Sequence, residues 1–120
     1  MNPTPSTLPP PTPDAEAGPI TVRVGEAPRA LALSSVQPNP FRAQAALTVS
    51  LDRNGPFVVR VFTADGRLVR TLARGAGRPS DLRLTWDGTD GRGRPAGAGI
   101  YFFELRSGDR SRVQKAVLLR

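Results

Sequence analysis

Most of the chain consists of short segments in which apolar and polar residues alternate. Successive side chains of a β-strand point to opposite faces, so alternation of period two indicates a strand with one buried face. The clearest case puts Leu47, Val49 and Leu51 on one face, with Thr48 and Ser50 on the other. The predicted strands are Ile20–Val24, Leu31–Ser35, Ala45–Leu51, Phe57–Thr63, Leu68–Leu72, Leu82–Trp86, Ile100–Arg106 and Val113–Leu119.

Turn-forming residues separate these segments. Asp65-Gly66 and Ser107-Gly108-Asp109 predict tight turns within two hairpins. Gly75–Ser80 reads as a loop, and Thr89–Gly99, with four glycines and a proline, reads as a long connection. No segment has a helical period. About seven or eight short strands with such turns predict an all-β protein, an antiparallel β-sandwich with Trp86 between its sheets.

The start of the chain has a different composition. Residues 1–18 contain six of the 13 prolines and almost no large apolar side chain, which predicts an extended, disordered linker. The expected organisation is therefore a proline-rich linker at 1–19 and the sandwich at 20–120. The start lacks the basic and apolar parts of a signal peptide, and no apolar window is long enough to span a bilayer. We expect a piece from the C-terminal part of a longer protein, in which Met1 is not the natural start.

The composition excludes several classes of function. The 120 residues include no cysteine and no histidine, which excludes a disulfide framework, cysteine-ligated metals and histidine-dependent hydrolysis. The net charge of +7 comes from arginine, with Lys115 as the single lysine. The arginines are scattered and have no interleaved aromatic residues, which favours solvated surfaces over nucleic-acid binding. We therefore expect neither an enzyme nor a cofactor, and no nucleic-acid partner.

Two aspartates in the long connection are weak candidates for a metal site. Asp87 and Asp90 lie three residues apart in a glycine-rich turn. Calcium takes about six to eight oxygen ligands, and this loop supplies only two carboxylates. Hydrogen bonds of the Asx type that stabilise the turn are the favoured role, and no metal site is expected.

Six short motifs follow one another in a fixed order. They are Gln37–Phe41, Val59–Phe62 with Asp65–Arg67, Leu72, Trp86–Asp90 with Gly93, Gly99–Tyr101, and Lys115–Arg120. In this order they resemble the immunoglobulin-like domain shared by flagellar hook-capping proteins and by cargo of the type IX secretion system. The resemblance covers Leu31–Arg120 and implies that the sandwich is immunoglobulin-like.

For type IX cargo, the resemblance implies a non-catalytic C-terminal sorting module. Such a module directs an N-terminally fused cargo, exported to the periplasm by a separate signal, to the cell surface or the medium. The implied partners are the outer-membrane secretion machinery, which recognises the folded domain, and lipopolysaccharide, to which the processed cargo is attached.

Three motifs of such sorting domains have counterparts here. The receptor-binding residues that they imply are Pro38, Asn39, Pro40, Phe41, Gly99, Tyr101 and Lys115. The first motif departs from the usual pattern after its phenylalanine, where Arg42-Ala43-Gln44 stands in place of asparagine-proline-threonine.

Each motif also has a structural interpretation. The prolines of Pro38–Phe41 end a strand and turn the chain, while its phenylalanine can close the end of the sandwich. Gly99 permits an unusual backbone angle, and Tyr101 packs inward with its hydroxyl at the edge. Lys115, on the last strand, is typical of residues that prevent edge-to-edge aggregation.

Two other functions remain open. A hook-capping domain should carry a glutamine-rich or helical segment ahead of the sandwich, and the proline-rich linker argues against one. A generic immunoglobulin-like spacer or adhesion domain would use Trp86, Tyr101 and Phe102 as aromatic platforms, but Trp86 is expected to be buried.

In the sorting interpretation, the last hairpin, Ile100–Arg120, presents its main-chain edge and side chains to a receptor through strand addition.

Overall fold

Residues 30–120, the part of the chain that the computed structural model describes, contain seven β-strands and no helix. The prediction of an all-β protein is therefore confirmed. The predicted strand Ile20–Val24 and the linker lie outside the described residues. The strands are β1 (Ala32–Leu33), β2 (Ala45–Leu51), β3 (Gly55–Thr63), β4 (Leu68–Gly77), β5 (Ser80–Trp86), β6 (Gly99–Ser107) and β7 (Arg110–Leu118).

The strands form two antiparallel sheets. One sheet has the order β1-β2-β5, and the other has the order β4-β3-β6-β7. Ala45 at the start of β2 pairs with Trp86 at the end of β5, which fixes the register of the first sheet. In the second sheet β7 is an edge strand and pairs only with β6 among the named strands. No helix in this part of the chain has the length and apolar character needed to cross a membrane.

The predicted end of β4 was wrong. The sequence predicted a strand to Leu72 and a loop over Gly75–Ser80, but the strand continues to Gly77 and pairs there with Gly55. The reason is a close approach: a Cβ atom at Gly77 would lie 2.6 Å from Leu51 Cδ1 and 3.0 Å from the Phe57 ring. Because glycine has no side chain, the side chains of Leu51 and Phe57 can lie directly against the strand at this position. Gly77 therefore belongs to the strand and forms no turn.

The core fills the space between the sheets with the inward side chains of the alternating strands. Trp86 is only 1% exposed, so the prediction that it lies between the sheets is confirmed. Since the chain has no cysteine, this apolar packing carries the stability, at about 1.5–3 kcal/mol per large buried side chain. The largest fully buried side chains are Trp86, Phe41, Phe103, Leu47, Leu105, Leu118, Val36, Val49, Val59 and Val61.

An ion pair connects the two sheets at the end of the sandwich remote from Trp86. Asp52 follows β2 in one sheet, and Arg110 begins β7 in the other. The guanidinium donates two hydrogen bonds to the carboxylate, of 2.7 Å and 2.9 Å. These hydrogen bonds lower the pKa of Asp52 from 3.8 to about 2.

This lowered pKa predicts a contribution to stability that depends on pH. A carboxyl group with a depressed folded-state pKa stabilises the fold above its unfolded pKa, and the contribution disappears as pH falls through the folded value. We expect Asp52→Asn to lower Tm at neutral pH and to make Tm fall less steeply between about pH 4 and pH 2 than in the wild type. Thermal unfolding followed by circular dichroism measures this effect, with Asp81→Asn, at an exposed position of β5, as control. An Asp52→Asn profile parallel to that of the wild type would contradict it.

Candidate functional site

The residues implied by the sorting motifs come from three distant parts of the chain, and they lie at the same end of the sandwich. Pro38–Phe41 come just before β2, and Lys115 is near the end of β7. Gly99 and Tyr101 begin β6, where Gly99 pairs with Leu118 across the β6–β7 ladder. The motifs therefore converge on the last strand, and we call Pro38–Phe41 the edge segment.

The side chain of Asn39 bonds to the outer edge of β7. Its Nδ2 donates to the carbonyl oxygen of Lys115 at 3.1 Å, and its Oδ1 accepts from the N–H of Val117 at 3.0 Å. An amide side chain carries a donor and an acceptor side by side, as an extended backbone does. Asn39 thus takes the position of one peptide unit of a neighbouring strand.

The backbone of Phe41 continues this edge contact. Its N–H donates to the carbonyl oxygen of Val117 at 2.9 Å, and its carbonyl oxygen accepts from the N–H of Leu119 at 2.8 Å, which makes a parallel bridge opposite Leu118. A proline precedes each of these two residues and follows a cis peptide bond. Because proline has no N–H, the edge segment forms one bridge and not a full strand.

Trp86 holds the edge segment and β6 together from the inside. Its ring makes edge-to-face contacts with Phe41, Tyr101 and Phe103, at centroid distances of 5.7, 5.0 and 5.7 Å. Such pairs contribute about 0.5–1.5 kcal/mol each beyond the area that they bury. The sequence predicted that Trp86 is buried but did not place it at the site, where it connects the first motif to the second.

Phe41 and Tyr101 have the structural positions that the sequence predicted. Phe41 is 1% exposed and Tyr101 is 6% exposed, and the Tyr101 hydroxyl donates to the carbonyl oxygen of Gly97 at 2.6 Å. Gly99 has a φ of +152°, a backbone conformation that favours glycine. Lys115, in contrast, is exposed, and so are the other three residues of the edge segment, Pro38, Asn39 and Pro40.

The long connection between β5 and β6, the 87–98 loop, is fixed to this end of the sandwich. The indole N–H of Trp86 donates to the carbonyl oxygen of Thr89 at 2.8 Å. Arg70 on β4 donates to the Thr89 hydroxyl at 2.9 Å and to the carbonyl oxygen of Asp90 at 2.8 Å. A loop rich in glycine is thereby held against the second sheet.

Arg120 holds the same loop from the side of β7. Its Nη2 donates to the carbonyl oxygen of Gly88 at 2.8 Å, and its Nε donates to that of Ala96 at 3.0 Å. Gly88 is buried with a φ of +78°, and a Cβ atom there would lie 3.0 Å from the Arg120 guanidinium. Glycine is therefore needed at this position for its backbone angle and for the space it leaves.

The two candidate metal ligands instead make Asx-type hydrogen bonds within the loop. Asp87 Oδ1 accepts from the Thr89 N–H at 3.1 Å and from its hydroxyl at 2.6 Å. Asp90 Oδ1 accepts from the N–H groups of Arg92 and Arg94 at 2.9 and 3.0 Å. These hydrogen bonds lower the pKa of both carboxyl groups. Within residues 30–120, no histidine, cysteine or further carboxylate completes a metal cluster around them.

Comparison with known proteins places this fold in a family. The family model described as the FlgD Ig-like domain matches residues 35–111, which is more than half of the chain. The chain belongs to the FlgD Ig-like domain family. The immunoglobulin-like architecture implied by the resemblance is therefore confirmed. No curated protein was found to match the sequence.

Two solved structures from Porphyromonas gingivalis are similar to this FlgD-type domain. Dimeric latent PorU matches 78% of the chain at 23% identity with a TM-score of 0.57, and the chain corresponds to only 10% of PorU. The second structure is PorZ, described as an essential bacterial surface component of the type-IX secretion system. The match covers 71% of this chain and 11% of the PorZ chain, at 19% identity with a TM-score of 0.47. The likeness to PorU establishes a shared fold.

The position of Asn39 on β7 predicts a measurable loss of stability on truncation. Asn39→Ala removes two side-chain hydrogen bonds to the backbone, and we expect it to lower the free energy of unfolding by about 1 kcal/mol. Urea unfolding followed by Trp86 fluorescence measures the change. Asn54→Ala, in the exposed turn before β3, is the matched control; equal effects of the two substitutions would contradict the assigned role.

Proposed function

We propose that this FlgD-family domain is a non-catalytic C-terminal sorting module, which directs an N-terminally fused, exported cargo through the type IX secretion system to the cell surface or the medium. Its partners are the outer-membrane secretion machinery and, after processing of the cargo, lipopolysaccharide. The observation that carries the proposal is the convergence of the three sorting motifs on one end of the sandwich, around the last strand.

The exposed part of this end has the chemistry of a protein-binding surface. Lys115 pairs with Phe102 across the β6–β7 ladder, and Ile100 pairs with Val117 beside them. Ile100 and Val113 are among the exposed large hydrophobic residues. On this face Lys115 has apolar ladder neighbours on one side and Glu104, opposite Val113, on the other, which suits a receptor surface that offers a carboxylate beside an apolar patch.

The edge contacts indicate how such a receptor would bind. Strand addition needs unpaired N–H and C=O groups, but Asn39 and Phe41 already occupy the outer edge of β7 from Lys115 to Leu119. The geometry therefore favours recognition through the outward side chains of the edge segment and of Lys115. In this account the buried Phe41 and Tyr101 position that surface and do not contact the receptor.

The family match favours a second candidate, an assembly domain of the flagellar hook cap. The adhesion alternative has less support, because two of its three aromatic platforms, Trp86 and Tyr101, are buried, and Phe102 is half-buried. Expression in a bacterium that has type IX secretion and no flagellum distinguishes the first two functions, since only a sorting module would act there.

Delivery of a reporter tests the proposal. Residues 1–120 are fused behind a periplasm-exported fluorescent protein, and surface fluorescence is measured with and without Val113–Arg120. We expect delivery by the whole chain and none after the deletion. Delivery that does not change with this deletion would reject the sorting function.

A single substitution tests the site more sharply, because a deletion in β7 also removes core residues. Lys115→Gln removes one exposed cation from the proposed surface, and Arg83→Gln removes one from the exposed side of β5. We expect Lys115→Gln to reduce surface delivery while its near-ultraviolet circular dichroism stays native, and Arg83→Gln to deliver normally. Equal delivery by both variants would remove Lys115 from the site.

A further inference from the structure

A pocket of about 420 Å³ opens between the β3–β4 turn and the 87–98 loop. Its volume lies within the range of about 300–1,000 Å³ that is usual for ligand sites. Tyr101, one of the aromatic rings in contact with Trp86, and Val69, which packs against the core, lie in its wall, and Leu68 at the start of β4 contributes an exposed apolar side chain. The pocket therefore adjoins the motif end of the sandwich without using the edge segment or Lys115.

Three arginines give the pocket a positive rim. Arg67 comes from the β3–β4 turn, and Arg92 and Arg94 come from the 87–98 loop; all three are exposed. The one carboxylate in the lining, Asp90, already accepts two backbone hydrogen bonds through Oδ1. The nearest ion-pair distances of the rim, 3.6 Å from Arg94 Nε to Asp90 and 3.7 Å from Arg67 Nε to Asp65, are longer than hydrogen bonds. The guanidinium groups thus retain donors for a ligand.

The wall formed by the loop is held in place before any ligand arrives. The N–H of Gly91 donates to the carbonyl oxygen of Val69 at 3.0 Å, and the N–H of Ala96 donates to that of Gly88 at 2.8 Å. The hydrogen bonds from Arg70 and Arg120 fix the same loop on both sides. A pocket that is already formed loses less conformational entropy when it binds.

The lining distinguishes between classes of anion. Guanidinium groups pair with carboxylates and phosphates alike. The apolar lining, however, is mostly aliphatic: the Leu68 side chain is 55% exposed, whereas Tyr101 is buried with its hydroxyl bonded to Gly97. An aliphatic surface suits an apolar amino-acid side chain, whereas the buried Tyr101 offers no open ring face for stacking on a sugar.

From this combination we infer that the pocket binds an acidic peptide segment, whose carboxylates pair with Arg67, Arg92 and Arg94 while an apolar side chain between them packs on Leu68. The inference does not depend on the sorting function, since it uses neither the edge segment nor Lys115.

Fluorescence anisotropy with the full chain and a rhodamine-labelled Glu-Glu-Leu-Glu-Glu peptide tests this site. The wild type should bind this peptide and not its Gln-Gln-Leu-Gln-Gln counterpart. The double variant R92Q/R94Q should bind about tenfold more weakly or worse, because hydrogen bonds between charged groups are lost. R78Q/R83Q removes the same charge from exposed positions outside the pocket and should change the affinity much less.

A second matched pair of variants tests the apolar part of the pocket. Leu68→Asp replaces a side chain that is 55% exposed and should not disturb the core, and Ala76→Asp adds the same carboxylate at an exposed position of β4 outside the pocket. Leu68→Asp places a carboxylate in the pocket and should abolish peptide binding, whereas Ala76→Asp should preserve it. Unchanged Trp86 fluorescence and Tm show that each variant is folded.

Several outcomes would overturn the inference. These are no measurable binding of the acidic peptide, equal binding of the glutamine peptide, and equal losses in R92Q/R94Q and R78Q/R83Q. The wild type could also fail to bind the peptide and bind a phosphorylated polysaccharide instead, with an affinity that R92Q/R94Q lowers. That result would assign the pocket to a glycan.

Discussion

The outer edge of the last strand is covered from Lys115 to Leu119 by a segment that lies 76 positions earlier in the chain. Asn39 supplies a donor and an acceptor to β7, and Phe41 adds a parallel bridge two residues further on. An open edge exposes unpaired backbone groups and invites pairing with other chains. The edge segment covers these groups with two residues, each preceded by a proline, and the prolines have no N–H with which to extend the sheet.

The aromatic cluster anchors this cover to the core. Each edge hydrogen bond contributes little on its own, and the burial of the Phe41 ring adds stability to its bridge with β7. Its contact with Trp86, and the contact of Trp86 with Tyr101, connect the edge segment, the end of β5 and the start of β6 in one buried group. The same indole also holds Thr89 of the 87–98 loop, so the covered edge and the arginine-rimmed pocket share one support.

Much of the fold could be predicted from the sequence, because burial on one face leaves a period of two in strands such as Ala45–Leu51. The extension of β4 to Gly77 could not, since glycine reads as a turn residue and its close contact with Leu51 is visible only in three dimensions. The Asx-type hydrogen bonds of Asp87 and Asp90 were predicted because they act over a few neighbouring residues.

The assembly of the site depends on long-range contacts that leave no periodic trace. The bonds of Asn39 to Lys115 and Val117 join a side chain to a distant backbone, and nothing in the local sequence encodes the partner. The same holds for Arg70 and Arg120, which read as solvated cations and instead hold the 87–98 loop. The resemblance identified the motif residues, and the structure supplied the role of Trp86 between them.

Amide hydrogen exchange at Val117 and Leu119 tests the central claim most directly. Both N–H groups point away from β6, toward the edge segment, and their described acceptors are Asn39 Oδ1 and the Phe41 carbonyl oxygen. If the edge is covered, both amides exchange far more slowly than in an unstructured chain. Exchange of both at the unstructured rate, in a protein whose Phe103 amide is protected, would show that the edge is open and contradict the account.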